Sequence, residues 1–262
     1  MDAKMEKQDN ENSRPSIENA HIYLSEKNCQ RRVDVDEIVY LKADTSYCEI
    51  YKSDGTMICV SVPMGYVKNY LPEEQFIQVH KSHVVNRNFV YEIRDNRIIL
   101  PKVMEESKLR IGDTFKTEFL ERLTIVKKRN RKDAIWNKKS YNPLKVKPSK
   151  RFYVNVSDYL QKINSSEIVY LEAGNEHCKI HLHVGEQIVT SSLMPDIEDF
   201  LPKGQFIRIH QSFIVNWDCM DVIFGNNVML PDRKTTLPIG EGNRPLVFQS
   251  MIVINSSHKK YQ

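Results

Sequence analysis

Residues 71–86 read LPEEQFIQVHKSHVVN, and residues 201–216 read LPKGQFIRIHQSFIVN. Nine of these sixteen aligned positions are identical at a constant offset of 130, where chance would give about one. The same offset aligns IVYLKA at residues 38–43 with IVYLEA at residues 168–173. The chain therefore contains one module twice, and two copies of roughly a hundred residues each are long enough to fold separately.

Within a module the apolar residues follow the pattern of short strands. Strands are predicted at Ile38–Leu41, Tyr47–Tyr51, Met57–Val62, Phe76–Val79, His83–Val85 and Arg97–Leu100. Asp54-Gly55 predicts a hairpin turn, and a short helix is predicted between Pro63 and Pro72. A second helix is predicted after Gly112. Its apolar face would comprise Phe115, Phe119, Leu120, Leu123 and Val126.

The predicted organisation has four parts. Residues 1–20 are polar and predict a disordered arm, residues 21–126 form the first domain, and residues 152–255 form the second. Between them, residues 127–151 carry 11 Lys/Arg against one Asp, a charge of +10, while the whole chain carries only +4. Such a basic connector is typical of chains that meet a polyanion.

Composition excludes several classes of protein. No run approaches the ~18 apolar residues of a membrane helix, and the N-terminus lacks the apolar core of a signal peptide. The five cysteines form no CxxC pair, which argues against a disulfide framework and a zinc site. We therefore expect a cytoplasmic protein with free thiols, no metal and no cofactor.

The repeated motifs resemble the LytTR family of bacterial DNA-binding domains. The resemblance rests on the opening strand at 38–43 and 168–173, the Leu-Pro that ends the helix, and the central motif at 76–86 and 206–216. It implies a mostly β fold of two tandem domains, each an elongated arrangement of small sheets with one or two short helices. It also implies that loops read successive major grooves of double-stranded DNA.

The resemblance places three surfaces at the DNA. The first is the loop after the opening strand: Thr45, Ser46 and Tyr47, with Asn175, Glu176 and His177 in the second copy. The second is Lys81, followed by Arg87, and Gln211; lysine suits guanine and glutamine suits adenine. The third precedes or begins the last helix: Lys108, Arg110, Lys116, Arg233, Lys234 and Arg244.

The third surface departs from the family pattern, which has Ser-Arg where this chain has Gly112-Asp113 and Gly240-Glu241. Because a carboxylate repels phosphate, we expect Asp113 and Glu241 to cap or charge-match a helix start instead. The copies also differ in charge, for example at Lys42 and Lys81, which become Glu172 and Gln211. We therefore expect the first copy to be the main DNA reader.

The connector is interpreted as a phosphate-tracking tether. As a coil its 25 residues would span roughly 28 Å, close to the ~34 Å of one turn of DNA. Its predicted phosphate contacts are Lys127, Lys128, Arg129, Arg131, Lys132, Lys138 and Lys139. We expect a monomer with two DNA-binding domains or a weak homodimer.

Other interpretations stay open. The fold could serve as a protein-interaction scaffold that has lost DNA binding, and the equivalent Cys48 and Cys178 could sense redox state, although burial within a strand is favoured. His80 and His210 are expected to be structural, and an enzyme is the least supported class. Only about twenty polar residues precede the first strand, so we expect no receiver domain and no regulation by phosphorylation.

Overall fold

The computed structural model describes residues 21–26, 29–104, 106–126, 149–183 and 185–251. The predicted disordered arm at 1–20 and residues 127–148 of the basic connector lie outside the described residues. The chain divides into two compact units. One comprises residues up to Phe89 with Pro101–Glu105, and the other comprises Val90–Leu100 with the residues from Glu106 onwards.

The first unit is built on a five-stranded antiparallel sheet with the strand order β5-β4-β3-β7-β6. Its strands are β3 (Ile38–Asp44), β4 (Tyr47–Lys52), β5 (Met57–Val60), β6 (Phe76–His80) and β7 (His83–Asn86). All five were predicted. A hairpin of β1 (His21–Glu26) and β2 (Cys29–Asp34) precedes them as a separate two-stranded sheet, which the sequence did not predict.

The predicted turn and short helix are both present in this unit. Gly55 has a φ of +85°, a backbone conformation that residues other than glycine rarely adopt. Lys52 N donates to Thr56 O across the turn. Helix α1 (Met64–Lys68) buries Met64 and Val67 against the sheet. Alternate residues of the strands complete this core, including Ile38, Leu41, Cys48, Ile50, Phe76 and Val84.

The second copy repeats the element order of the first. Its elements are β11 (Arg151–Val156), β12 (Tyr159–Asn164), β13 (Ile168–Ala173), β14 (Cys178–Leu182), β15 (Gln187–Thr190), α3 (Met194–Glu198), β16 (Phe206–His210), β17 (Phe213–Asn216), β18 (Val222–Phe224), β19 (Asn227–Met229), β20 (Thr236–Pro238) and α4 (Arg244–Gln249). Its five-stranded sheet, β15-β14-β13-β17-β16, has the same order as that of the first copy.

A third sheet combines strands of both copies. The first copy supplies β8 (Glu92–Arg94), β9 (Arg97–Ile99) and β10 (Lys108–Arg110), and the second supplies its opening hairpin, in the order β10-β9-β8-β12-β11. All five strands belong to one compact unit. The second copy's equivalent of β8–β10, the sheet β18-β19-β20, has only three strands among the described residues. The compact units therefore cut across the sequence repeat, and the domain limits 21–126 and 152–255 remain a proposal.

The last helix of the first copy is shorter than its apolar pattern indicates. Helix α2 (Asp113–Glu121) begins after Gly112 as predicted, but within it only Phe119 is buried. Leu123 and Val126, predicted on the helix face, are buried beyond its end. The prediction was wrong for these two because Tyr153 draws the chain into extended pairing, with Val126 N donating to Tyr153 O. The fold class, mostly β with small antiparallel sheets and short helices, is confirmed.

Candidate nucleic-acid interface

In the first copy, two of the predicted DNA-contacting loops lie side by side at one end of the five-stranded sheet. The turn between β3 and β4 carries Thr45 and Ser46, and the turn between β6 and β7 carries Lys81. Ala43 N donates to Ser82 O at 2.9 Å and so holds the two turns together. The side chains of Thr45, Ser46 and Lys81 are exposed, and Tyr47 exposes 47% of its surface.

The second copy has the same arrangement. Ala173 N donates to Ser212 O at 2.9 Å, which holds the 174–177 loop beside the exposed Gln211. Asn175 and Glu176 are exposed, while His177 is half-buried. Its ring lies so close to Gly174 that a Cβ on that glycine would fall 2.4 Å from His177 Cε1. A side chain at position 174 would therefore displace the His177 ring from its place against the loop.

His80 and His210 shape the second turn from inside, as expected. His80 Nδ1 lies 2.8 Å from Ser82 Oγ, and His210 Nδ1 accepts from Ser212 N at 3.1 Å. Among the described residues no group of three or more His, Cys, Asp or Glu could hold a metal ion. Both histidines thus hold the turn that presents Lys81 or Gln211.

The asparagine that ends the same motif fixes the other end of the sheet. Asn86 is fully buried and donates through Nδ2 to Ile38 O at 2.7 Å, while its Oδ1 accepts from Asn88 N. Asn216 makes the equivalent bond to Ile168 O at 3.0 Å. Each side chain thus joins a strand start to the turn that follows β7 or β17 and fixes that turn.

Charge differences between the copies form matched pairs on neighbouring elements. Lys42 Nζ lies 3.5 Å from Glu49 in the first copy. In the second copy Lys179 Nζ lies 3.0 Å from Glu172, with the two charges exchanged. Burial opposes ionisation of Glu172, yet hydrogen bonds from Lys179 and His181 outweigh it and lower the pKa of that carboxyl. At these positions the charges that differ between the copies therefore pair with each other within each sheet.

A second pair supports the turn that carries the predicted base-reading residue. Arg208 donates to Glu198 at 2.7 Å and, through Nη2, to Gln211 O at 2.9 Å. In the first copy Lys68 donates to Gln78, whose amide donates in turn to His80 O at 3.3 Å. Sequence reasoning missed these supports, although the reversal from lysine to glutamate between positions 68 and 198 was a visible signal.

Arg87 lies apart from Lys81. The two residues flank β7 at its opposite ends, and a strand of four residues is about 13 Å long. Arg87 is half-buried, and its N donates to Gln75 O. The structure does not bring Arg87 to the turn that carries Lys81.

In the second copy, the residues of the third predicted surface lie in two separate regions. Gly240 N donates to Ile209 O at 2.8 Å, so the start of the last helix lies against the end of β16. Arg244 belongs to this place, and its Nη1 lies 2.5 Å from Asn226 Oδ1. Arg233 and Lys234 lie in the loop between β19 and β20, away from that end of the strands, and Arg233 pairs with Asp221 at 3.3 Å.

The first-copy members of the third surface are all exposed. Lys108 and Arg110 lie on β10, an edge strand of its sheet, and Lys116 lies on α2. Asp113 occupies the first turn of α2, but Gly112 is the N-cap residue and no side chain caps the helix. Asp113 and Glu241 therefore match the positive end of a helix or helical turn by charge, and the alternative of side-chain capping is wrong.

The equivalent cysteines are buried. Cys48 and Cys178 lie at 0% exposure within β4 and β14, and desolvation raises the pKa of each thiol to about 12. A thiol with so high a pKa forms little thiolate and reacts slowly with oxidants. Burial, rather than redox sensing, accounts for this pair.

The connector cations Lys127, Lys128, Arg129, Arg131, Lys132, Lys138 and Lys139 lie outside the described residues. Within the part of the chain that the structure describes, no helix is long and apolar enough to cross a membrane.

Comparison with known proteins agrees with the repeat. Residues 28–124 and 158–251 each match the LytTr DNA-binding domain. The chain is 24% identical over 242 residues to the sensory transduction protein LytT of Oceanobacillus iheyensis, covering 84% of this chain and 92% of that protein. A solved LytTr DNA-binding domain of a putative methyl-accepting/DNA response regulator from Bacillus cereus is 22% identical, with a TM-score of 0.34, and covers 39% of this chain and 96% of that one. The chain belongs to the LytTR family of DNA-binding domains and contains two of them in tandem.

Proposed function

We propose that the chain is a bacterial transcription regulator that binds double-stranded DNA sequence-specifically through both LytTR domains. The observation that carries this proposal is the paired turns at one end of each five-stranded sheet. In each copy a backbone hydrogen bond joins the turns, and an exposed polar side chain, Lys81 or Gln211, stands at the tip. Preorganised loops with free donors suit the edges of bases in a major groove.

The proposed readers of the first copy are Ser46, Tyr47 and Lys81, and those of the second are His177 and Gln211. Lysine can donate to guanine O6 and N7, whereas glutamine can pair with adenine. Cations near the helix starts would position the domains on phosphates: Lys108, Arg110, Lys116 and Arg244. Arg87, Arg233 and Lys234 are candidates for phosphate contact only, because they stand apart from the turns.

The first copy is proposed as the main reader. The exchanged pairs Lys42–Glu49 and Glu172–Lys179 each contribute one charge of each sign to their sheet. The substitution at the turn tip is different, because Lys81 is exposed and becomes the neutral Gln211. A cation at that tip adds attraction to phosphates as well as a base contact.

The connector is proposed to strengthen binding without adding specificity. Its cations would meet phosphates between the two domains, and the tether would raise the effective concentration of the second domain once the first has bound. Replacing residues 127–148 with Gly and Ser should weaken binding evenly across sequences and flatten the dependence on salt. Affinity that is unchanged at low salt would contradict this role.

Selection of bound DNA from a random pool by the whole chain tests the proposal. The expected result is an enriched motif with two unequal parts, of which the stronger disappears in a selection with Lys81→Ala. A second selection with Lys102→Ala, which removes another exposed lysine of the first copy, should return the wild-type motif. A pool that stays random after selection would overturn the proposal of sequence-specific binding.

A protein-interaction scaffold is the second candidate function. Asp113 and Glu241 are exposed at the proposed third contact, where carboxylates oppose phosphate. A gel shift with random DNA at several salt concentrations separates the two functions. Binding that weakens steeply as salt rises supports a DNA-binding protein, while no shift at low salt supports the scaffold.

A further inference from the structure

The junction between the copies is an edge-to-edge strand pair. Strand β12 of the second copy lies antiparallel to β8 of the first, with Leu160 opposite Ile93 and Gln161 opposite Glu92. Lys162 N extends the ladder by donating to Tyr91 O at 2.9 Å. The pairing makes one continuous sheet out of two smaller ones.

Side chains reinforce this junction. Tyr153, on β11, is only 4% exposed, and its hydroxyl donates to Val90 O at 2.9 Å. Lys162 Nζ lies 4.1 Å from the centre of the Tyr91 ring. A cation over the face of an aromatic ring is attracted to it, so the junction combines a short ladder with specific anchors.

Both halves of the junction occur once more in the chain. Strand β2 is the first-copy equivalent of β12, and β18 is the second-copy equivalent of β8, each at an offset of 130. Among the described residues β2 pairs only with β1, and β18 pairs only with β19. The repeat therefore leaves two strand edges, one on β2 and one on β18, that are equivalent to the two strands paired in the internal junction.

The anchor residue is present in the first copy's hairpin, on β1 next to β2. Tyr23 stands where the second copy has Tyr153, yet it is 61% exposed while Tyr153 is 4% exposed. On the other edge, Val222 and Phe224 of β18 are 40% and 43% exposed. Large apolar side chains along an unpaired edge strand are features that proteins usually avoid or cover.

The geometry points to head-to-tail self-association, in which β18 of one molecule pairs antiparallel with β2 of the next. In the register of the internal junction, Gln30 lies opposite Ile223, and Arg32 N donates to Asp221 O. The Tyr23 hydroxyl then donates to Met220 O, as Tyr153 does to Val90 O. The occupant of each edge is a second copy of this chain, because the chain already makes this contact with itself.

Charge also complements across the proposed contact. Arg32 replaces Lys162 and Asp221 replaces Tyr91, so an arginine–aspartate pair replaces a lysine over a ring. In the single molecule Arg32 pairs with Asp34 at 3.0 Å and Asp221 pairs with Arg233 at 3.3 Å. Both pairs are on the surface, where an ion pair contributes little to stability, so exchanging partners costs little.

The contact is heterologous, so it does not close after two molecules. Each molecule that joins brings a new β2 and a new β18, so assembly continues past the dimer. The strands are short, and an interface of this size is typical of weak association that depends on concentration. No DNA is needed for it, and it stands independently of the proposed function.

Sedimentation velocity of the full chain without DNA tests the inference. The average sedimentation coefficient should rise steadily with concentration and pass the dimer value without a plateau. Tyr23→Ala disables the β2 edge, and Val222→Lys disables the β18 edge by placing a charge on it. Each variant alone should remain a monomer, while an equal mixture should form dimers and stop, because each dimer has used its two intact edges.

A matched control distinguishes this contact from non-specific association through exposed apolar residues. Val189 is 46% exposed on β15, another edge strand, so Val189→Lys should associate like the wild type. Circular dichroism of every variant checks that the fold is unchanged. A wild type that stays monomeric at all concentrations, or a mixture of the two blocked variants that stays monomeric, would overturn the inference.

Discussion

The opening hairpin occurs twice in this chain with two different outcomes. In the second copy β11 and β12 join the sheet of β8–β10, and Tyr153 is buried. In the first copy β1 and β2 remain a two-stranded sheet, and the equivalent Tyr23 is exposed. The two hairpins have the same length and position in their modules but different sequences and different neighbours, and β12 pairs with β8 where β2 has only β1 among the described residues. Local sequence thus specifies that a strand forms, while the tertiary structure of the chain decides which strand it pairs with.

The largest expected effect distinguishes the two tyrosines. Tyr153→Ala removes a buried ring and its hydrogen bond and should lower the free energy of unfolding by about 3–5 kcal/mol. Tyr23→Ala removes an exposed ring and should change it by less than about 0.5 kcal/mol. Urea denaturation of dilute protein measures both, and equal losses would show that the two hairpins have the same surroundings.

Buried asparagines should instead behave alike in the two copies. Asn86→Ala and Asn216→Ala each leave a buried carbonyl, of Ile38 or Ile168, without its donor. We expect each to cost about 1–3 kcal/mol of unfolding free energy. Calorimetry of both variants tests whether the two asparagines contribute equally to stability. A tenfold difference between the two losses of unfolding free energy would show that they do not.

On DNA the copies should differ. Lys81→Ala should cost about 1–3 kcal/mol of binding free energy if the lysine reads a base, whereas Gln211→Ala should cost less. Titration of a selected site at constant salt measures both. Lys102→Ala is the matched control for the loss of an exposed lysine, and a loss equal to that of Lys81→Ala would reduce the role of Lys81 to general attraction.

The junction should also respond to pH. Burial, followed by the nearby Arg151, lowers the pKa of Lys162 from 10.5 to about 8. Between about pH 8 and 10.5, Lys162 is deprotonated in the folded chain but still protonated in the unfolded chain. The contribution of Lys162 to the free energy of unfolding therefore rises with pH.

Comparison with Lys162→Met isolates that contribution. Cys48 and Cys178 have pKa values raised to about 12, so they remove stability above pH 9 in both proteins. The difference in unfolding free energy between wild type and Lys162→Met should move in favour of the wild type from pH 8 to 10. A difference that is constant over this range would contradict the lowered pKa.

The smallest effect concerns the exchanged ion pairs. Lys42→Glu should destabilise the first copy slightly by placing two carboxylates across neighbouring strands, and adding Glu49→Lys should restore it. The coupling free energy should be about 0.2–1 kcal/mol, as for other cross-strand pairs. A double-mutant cycle by urea denaturation measures it, and the reverse exchange at Glu172 and Lys179 should give a similar value.

Much of the fold was predictable because strand alternation and turn residues are local signals. The five strands of the first copy's main sheet, the Asp54-Gly55 turn and helix α1 were all predicted and are present. The opening hairpin was missed because residues 21–34 carry several charged and polar side chains and alternate poorly. The end of α2 was predicted too late, since Leu123 and Val126 are apolar for packing and not for helical periodicity.

The candidate site was predictable in its parts and not in its arrangement. The motif placed Lys81 and Gln211 at exposed turns, and His80 behind them. Which cations lie near those turns was not visible in the sequence. Arg87 follows β7, Arg233 lies in the loop between β19 and β20, and Arg244 begins the last helix. The support of the Gln211 turn by Arg208 also depends on a contact between a helix and a strand ten residues apart.

The sequence alone determined that a LytTR module is duplicated, where most of its strands run, and which residues stand at the tips of its turns. Those features follow from side-chain periodicity and turn chemistry, which act within a few residues. Only the tertiary structure decided that β12 pairs with β8 while, in the described part of the chain, β2 pairs with β1 alone and β18 with β19 alone. Strand pairing joins backbone groups that every residue possesses, so the choice of partner depends on which edge lies within reach and leaves little trace in the sequence.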